Sequence, residues 1–303
     1  MDTVRNIDEK INIRGSLKYN EPMSLHTSFQ TGGPAEVFIT PENEEDIREV
    51  VLYAGEANIP VFILGGGANI LVADRGIKGI VIDMSRCNAF TVSDNCINAQ
   101  AGAEMSEISR QACQASLKGL EFIFAMPGSV GGSVYMNARC YGKEISEVLS
   151  EVSVMHTDGS IEKKKPALSD FSYKCSPFQK NRELILGASF SLSPGDRKAL
   201  LTAMEEVKSD RDQKGHFLYP CAGSVFKNNR NFGRPTGMII DELGLKGKKI
   251  GGARVADFHG NIIINEEKAS SDDIRQLVEF VEEEVSKRLG LRLEKEILYI
   301  GEW

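Results

Sequence analysis

The chain has one tryptophan, four histidines and ten prolines among 303 residues, and no apolar run long enough to cross a bilayer. Its first fifteen residues, Met1 to Gly15, alternate charged and apolar side chains and lack the apolar core of a secretory signal. No membrane partner is expected. Lysine and arginine total 36 against 43 aspartates and glutamates, a net charge of −7, so a phosphate-tracking nucleic-acid surface is not expected either. The one dense basic run, Lys163-Lys164-Lys165, follows the turn-like His156-Thr157-Asp158-Gly159 and reads as a solvated hairpin strand. The cysteines, Cys87, Cys96, Cys113, Cys140, Cys175 and Cys221, show no C-x-x-C pairing, and the histidines show no H-x-x-x-H spacing. Zinc and iron–sulfur centres are therefore not expected, and reduced thiols in a cytoplasm are the simplest account.

The length exceeds what one hydrophobic core usually organises, which suggests two domains. In the first half, 36–40, 61–64, 79–83 and 96–101 read as strands. A helix lies between the first two, with Thr40 as N-cap, Pro41 at its first position, and Ile47, Val50, Val51 and Ala54 on its buried face. A second helix over 104–118 turns Ile108, Ala112 and Ala115 inward and stops at Gly119. Antiparallel strands over 151–156, 161–165 and 183–192 close this half, and Ser193-Pro194-Gly195-Asp196 marks the boundary. Beyond it come helices over 197–214, 235–243 and 271–289 and a last strand over 292–300. The expectation is a domain over 1–195, with an N-terminal extension of about 1–25, and a smaller α+β domain over 196–303.

Three glycine-centred segments carry the chemistry. They are Gly65-Gly66-Gly67-Ala68-Asn69 after the apolar run ending at Leu64, then Pro127-Gly128-Ser129-Val130-Gly131-Gly132, and finally Ala222-Gly223-Ser224-Val225-Phe226-Lys227-Asn228. Each turns sharply and offers backbone N–H groups. No Gly-Lys-Ser/Thr is present, so a Walker loop is excluded, and Ile70 stands where a G-x-G-x-x-G fingerprint needs glycine. Two anion-cradling loops in one half and a serine on a turn in the other suggest a dinucleotide facing a catalytic hydroxyl. A tight turn without a ligand remains the alternative for any one loop.

Taken in order, 64–71, 126–132 with Met136-Asn137-Ala138, 222–228, and Gly244-Leu245-Lys246-Gly247 with Ile250-Gly251-Gly252-Ala253 resemble the UDP-N-acetylenolpyruvoylglucosamine reductase family over nearly the whole chain. The resemblance implies an FAD-binding domain of the vanillyl-alcohol oxidase/p-cresol methylhydroxylase type followed by a substrate-binding domain. It implies non-covalent FAD on Leu64, Gly65, Gly66, Gly67, Ala68, Asn69, Pro127, Gly128, Ser129, Gly131 and Gly132, with NADPH as reductant. The reaction implied is conversion of UDP-N-acetylglucosamine enolpyruvate to UDP-N-acetylmuramate by a cytoplasmic, monomeric enzyme of peptidoglycan synthesis.

Within that resemblance Ser224 matches the catalytic serine, which protonates the carbanion left by hydride transfer, and Glu296 matches the catalytic glutamate, although Glu294 shares its strand face. Tyr173, Lys227 and Asn228 match substrate-binding positions; for the last two a solvated strand end is an equal alternative. The chain departs from the pattern at Lys174, where the family has arginine: charge is kept and the bidentate fork is lost. Either Lys174 acts as a point charge, or another cation such as Arg139 or Arg211 contributes. Asn229 in place of a proline and Gly260 in His259-Gly260-Asn261 in place of an alanine are milder departures. An oxygen-using FAD oxidase of the same fold and a flavin-binding module without catalysis are the competing readings.

Overall fold

The computed structural model describes residue 4, residues 6–180 and residues 183–303. Its first half runs β1 (Ser16–Pro22), β2 (Pro34–Thr40), α1 (Glu44–Glu56), β3 (Val61–Leu64), β4 (Ile70–Val72), β5 (Ile77–Asp83), β6 (Phe90–Ser93) and β7 (Cys96–Gln100). Next come α2 (Met105–Gln114), β8 (Leu117–Lys118), α3 (Val130–Tyr135), β9 (Arg139–Cys140), β10 (Lys143–Glu144), β11 (Leu149–Met155), β12 (Ile161–Lys164), β13 (Leu184–Ser191) and β14 (Ser193–Pro194). The remainder is α4 (Arg197–Gln213), α5 (Thr236–Glu242), β15 (Lys249–Ile250), β16 (Ala253–Val255), β17 (Ile263–Asn265), α6 (Ser271–Leu289) and β18 (Leu298–Ile300).

The chain divides into two compact units, one of residues 1–19, 36–66 and 79–209, the other of 20–35, 67–78 and 210–303. The changeover lies inside α4, after Ser209, where the turn at 193–196 had suggested a boundary. A polar helix carries few of the turn residues from which a boundary is read, and the two short segments contributed by the N-terminal half carry no compositional mark at all.

In the first unit β3 and β5 pair in parallel in a sheet of order β1-β2-β5-β3, and an antiparallel sheet has the order β12-β11-β13-β7-β6. Strand alternation places Ile97 and Ala99, Val152 and Val154, and Phe190 in one core with Ile47, Val50 and Ala54 of α1. The cap of α1 differs from the sequence expectation. Asn43 accepts from Asp46 N at 3.0 Å, while Thr40 closes β2 and donates to Asp83 Oδ2 at 3.2 Å. The Asp46 carboxylate in turn accepts from the main-chain N–H groups of Arg14, Gly15 and Glu42. Helix α2 ends four residues early, because Ser116 turns through φ 59° and sends Leu117–Lys118 into pairing with β14. Ala115 consequently lies exposed.

In the second unit β15, β16 and β17 form an antiparallel sheet, and Ile274, Leu277, Val278, Val281 and Val285 of α6 are buried in its core. Helix α6 has the bounds the sequence predicts because both ends are signalled locally: a Ser270–Asp273 capping box and Gly290 in the left-handed region. Asp74 adds a long-range cap, accepting from Ser271 N and Asp272 N at 2.9 Å each. The last strand is shorter than expected. Only Leu298–Ile300 is regular, pairing in parallel with β4, while residues 294–296 hydrogen-bond to a different partner.

Candidate active site

Strand β3 ends at the buried Leu64 and releases Gly65 and Gly66 against the second glycine loop. A methyl group on Gly66 would stand 2.8 Å from Gly128 Cα and 3.2 Å from Ser129 N, and one on Gly65 would overlap Ser129 Oγ. Glycine is required here by close approach, so these residues are more than a turn. Ser129 caps α3 and accepts from Gly132 N at 3.3 Å, while Gly131 N donates to Ala101 O at 2.9 Å. Those two donors are committed within the protein, which leaves Gly65–Gly66 packed against Gly128–Ser129 as a cradle of bare backbone but for the Ser129 hydroxyl. Two apposed glycine backbones of this kind fit the diphosphate of a dinucleotide such as FAD. Pro127 is exposed at the entrance to the second loop; Gly67, Ala68 and Asn69 belong to the second unit.

Helix α3 links this cradle to the Tyr173–Lys174 turn. Its last carbonyl, Tyr135 O, accepts from Ser176 Oγ at 2.7 Å and from Gln179 Nε2 at 2.8 Å, satisfying a C-terminal group that the helix itself cannot. Ser172 and Cys175 exchange both main-chain hydrogen bonds at 3.0 Å, and between them Lys174 adopts φ 57°. That conformation costs a lysine about 1–2 kcal/mol. Gln179 Nε2 also donates to Lys174 O at 3.1 Å, and the fully buried Asn137 donates to Ser172 O at 3.1 Å. The turn is thus tied down on both sides. Over six residues α3 spans about 9 Å.

The serine loop is held in the second unit. Gly223 at φ 72° turns the chain, and Ser224, half-buried, pairs through its main chain with Ile262. On its other side Phe226 pairs with Lys295: Lys227 N donates to Glu294 O at 2.8 Å and Glu296 N to Val225 O at 2.7 Å. Asn69 Nδ2 donates to Glu296 O at 3.1 Å. Thus main-chain bonds hold the Ser224 loop beside Glu296, and the Asn69 side chain joins Glu296 from 227 residues away in the chain. The two glutamates part company here: Glu294 is exposed and pairs with Lys227 Nζ at 2.5 Å, whereas Glu296 is half-buried. Asn228 Oδ1 accepts from Thr236 N at 2.9 Å, holding the start of α5.

One residue at the centre of this loop escapes motif reading. Asn261, 2 % exposed, donates from Nδ2 to Phe226 O at 2.7 Å and accepts at Oδ1 from Phe226 N at 3.0 Å, while its own carbonyl accepts from Val225 N at 2.9 Å. The only signal in the sequence is its place in His259-Gly260-Asn261, where the chain departs from the family pattern. Asn261 N in turn donates to His259 Nδ1 at 3.1 Å, which requires that nitrogen to be unprotonated. Burial, reinforced by the Lys214 charge, holds His259 below the ordinary histidine range. Its neighbour His216, with ring centroids 6.2 Å apart, is pushed down to about 4 by burial and by the Arg211 charge. Both imidazoles are therefore neutral at pH 7.

Among known families, residues 35–164 match the FAD binding domain and residues 213–300 match the UDP-N-acetylenolpyruvoylglucosamine reductase C-terminal domain. Proteins named UDP-N-acetylenolpyruvoylglucosamine reductase from Borrelia garinii subsp. bavariensis and Treponema denticola are 42% and 40% identical, the first over 98% of this chain and 97% of its own, the second over 95% of each. The crystal structure of the Thermus caldophilus UDP-N-acetylenolpyruvylglucosamine reductase superposes with TM-score 0.81 at 29% identity, covering 95% of this chain and all of that one. A glucose dehydrogenase, 16% identical, shares the fold alone over 65% of this chain and 45% of its own, with TM-score 0.50. The fold is accordingly the expected α+β class, an FAD-binding domain of the vanillyl-alcohol oxidase/p-cresol methylhydroxylase type joined to a second α+β domain. With the glycine cradle, the serine loop and relatives matched over almost their full length, this chain belongs to the UDP-N-acetylenolpyruvoylglucosamine reductase family.

Proposed function

We propose that this protein reduces UDP-N-acetylglucosamine enolpyruvate to UDP-N-acetylmuramate with NADPH, as a cytoplasmic step of peptidoglycan precursor synthesis. The observation that carries the reading is the main-chain ladder joining the Ser224 loop to Glu296, in a chain that also carries the glycine cradle. FAD, when bound, would supply hydride-transfer chemistry that no side chain can, with NADPH as the reductant and the terminal enolpyruvyl carbon as the acceptor.

The chain's own residues have two tasks. Negative charge that develops on the adjacent carbon spreads into the substrate carboxylate and must be stabilised, the task assigned to Lys174. The same carbon must then be protonated, and Ser224 is the proton donor. A serine hydroxyl is a weak acid, so it serves only against a strongly basic carbanion, which this carbon is. Glu296 assists by holding the reacting end or the serine proton. Tyr173, Lys227 and Asn228 bind the nucleotide-sugar, Lys227 and Asn228 exchanging their present contacts with Glu294 and Thr236 for substrate contacts. Leu64, Gly65, Gly66, Gly67, Ala68, Asn69, Pro127, Gly128, Ser129, Gly131 and Gly132 are the residues assigned to the flavin, of which Gly131 acts by permitting the close approach of Ala101. Residues 1–195 serve the cofactor and contribute Tyr173 and Lys174 to the substrate, and residues 196–303 contribute the remaining substrate contacts.

An anaerobic visible spectrum tests the reading. Flavin absorbance that NADPH bleaches and the enolpyruvyl substrate restores is the expected result. Recovery with oxygen alone would favour an oxidase, and a protein that retains no FAD would overturn the reading of the glycine loops.

A further inference from the structure

Lysine at 174 leaves the site without the guanidinium that the family pattern carries there, yet a guanidinium stands beside the same turn. Arg139 on β9 lies directly opposite Glu144 on β10, with its Nη1 3.1 Å from Glu144 Oε1. Its Cζ sits 5.2 Å from the centroid of the Tyr173 ring, inside the range of a cation–π contact. The second oxygen of Glu144 accepts from Asn137 Nδ2 at 2.8 Å, and that amide also donates to Ser172 O at 3.1 Å. One carboxylate therefore anchors two arms on the turn, an amide on its main chain and a guanidinium on its aromatic ring. The hairpin register makes this possible by setting Arg139 and Glu144 face to face. The Arg139 side chain remains 25% exposed, enough for its outer N–H groups to be reached by a ligand.

We infer that Arg139 supplies the planar, two-donor contact to the substrate carboxylate that Lys174 cannot make, and that Glu144 is its positioning residue. An ammonium is a compact point charge, whereas a guanidinium matches both oxygens of a carboxylate at once. The work of one arginine is thus divided between two residues, charge from Lys174 and geometry from Arg139. This rests on the reading of the Tyr173–Lys174 turn as substrate-facing.

The test uses the full FAD-loaded protein, with flavin content and the thermal transition as checks on folding. Affinity for UDP-N-acetylglucosamine enolpyruvate is measured calorimetrically on the oxidised protein, and reoxidation by the same compound on protein reduced with dithionite. Arg139→Ala is expected to weaken both by about 10- to 100-fold, the range for a lost hydrogen bond to a charged group. Arg139→Lys, which keeps a cation over Tyr173 without the fork, should resemble it. Lys174→Arg in the Arg139→Ala background should restore most of the loss, and Glu144→Gln should add nothing once Arg139 is alanine. Unchanged binding and reoxidation in Arg139→Ala, or a loss that Lys174→Arg does not rescue, overturns the inference. Wild-type protein that the substrate cannot reoxidise overturns the proposed function and this inference with it.

Discussion

Replacing Asn261 with alanine removes a buried side chain that helps to fix the serine loop. Both main-chain groups of Phe226 are bonded to that amide, at 3.0 and 2.7 Å, and Phe226 is 1% exposed, so water has little access to replace either bond. An unsatisfied buried donor or acceptor costs about 1–3 kcal/mol, and two on one residue are not independent, so the expected loss is roughly 2–4 kcal/mol. For a chain of this size that corresponds to a fall in the thermal transition of about 3–6 degrees. Ser224 lies two residues away on the same segment, so reoxidation of reduced flavin by the enolpyruvyl substrate should slow as well. Asn265 provides the control: it is also buried and holds Phe29 O at 2.9 Å and Ala269 N at 2.7 Å, away from the serine loop. Asn265→Ala should destabilise comparably with much less effect on reoxidation per unit of stability lost. Equal kinetic effects in the two variants, or an Asn261→Ala protein within about 0.5 kcal/mol of wild type in denaturant unfolding, would refute the reasoning.

Ser224→Ala should slow the flavin-oxidising half-reaction by roughly 10²–10⁴-fold in stopped-flow measurements. A wild-type rate would remove the serine from the mechanism. Glu296→Gln should slow the same step, while Glu294→Gln weakens an ion pair in which the glutamate itself is exposed and should change it little. Gly66→Ala drives a methyl group into the Gly128 backbone, and overpacking of this kind costs about 1–3 kcal/mol, so flavin should dissociate more readily in an ultrafiltration assay. Acidification should destabilise the second unit through its histidines. The folded-state value of His216 is about 4 against an ordinary 6.5, so the unfolded chain takes up the proton first. That contribution is complete above pH 6.5 and is lost as pH falls through 4; in urea titrations His216→Phe should flatten this part of the profile.

Elements with local signals at both ends were legible from the residues alone. Helix α6 matches its predicted range, and β11, β12 and β13 are antiparallel neighbours as expected. Where the signal lay elsewhere the bounds moved: Asn43 displaced Thr40 as the cap of α1, and a left-handed Ser116 cut α2 short. The two glycine loops were visible as motifs, but their apposition was not, since nothing in Gly65-Gly66 shows that Gly128-Ser129 will fill the space where side chains would stand.

By itself the sequence determined the family, the two glycine loops and the turn that carries Ser224, because each depends on short runs whose backbone needs are local: glycine where the chain must turn or be approached, an apolar period where a face is buried. Tertiary structure alone decided how those runs are held. It set Glu296 N on Val225 O and Asn69 on Glu296, sent Glu294 outward to Lys227, and placed Asn261 against Phe226 and Arg139 over Tyr173. Each of these joins groups distant in sequence, or turns on which way a side chain points once its neighbours are packed. Hydrogen bonds and burial of that kind arise from the folded arrangement, and no single stretch of residues encodes them.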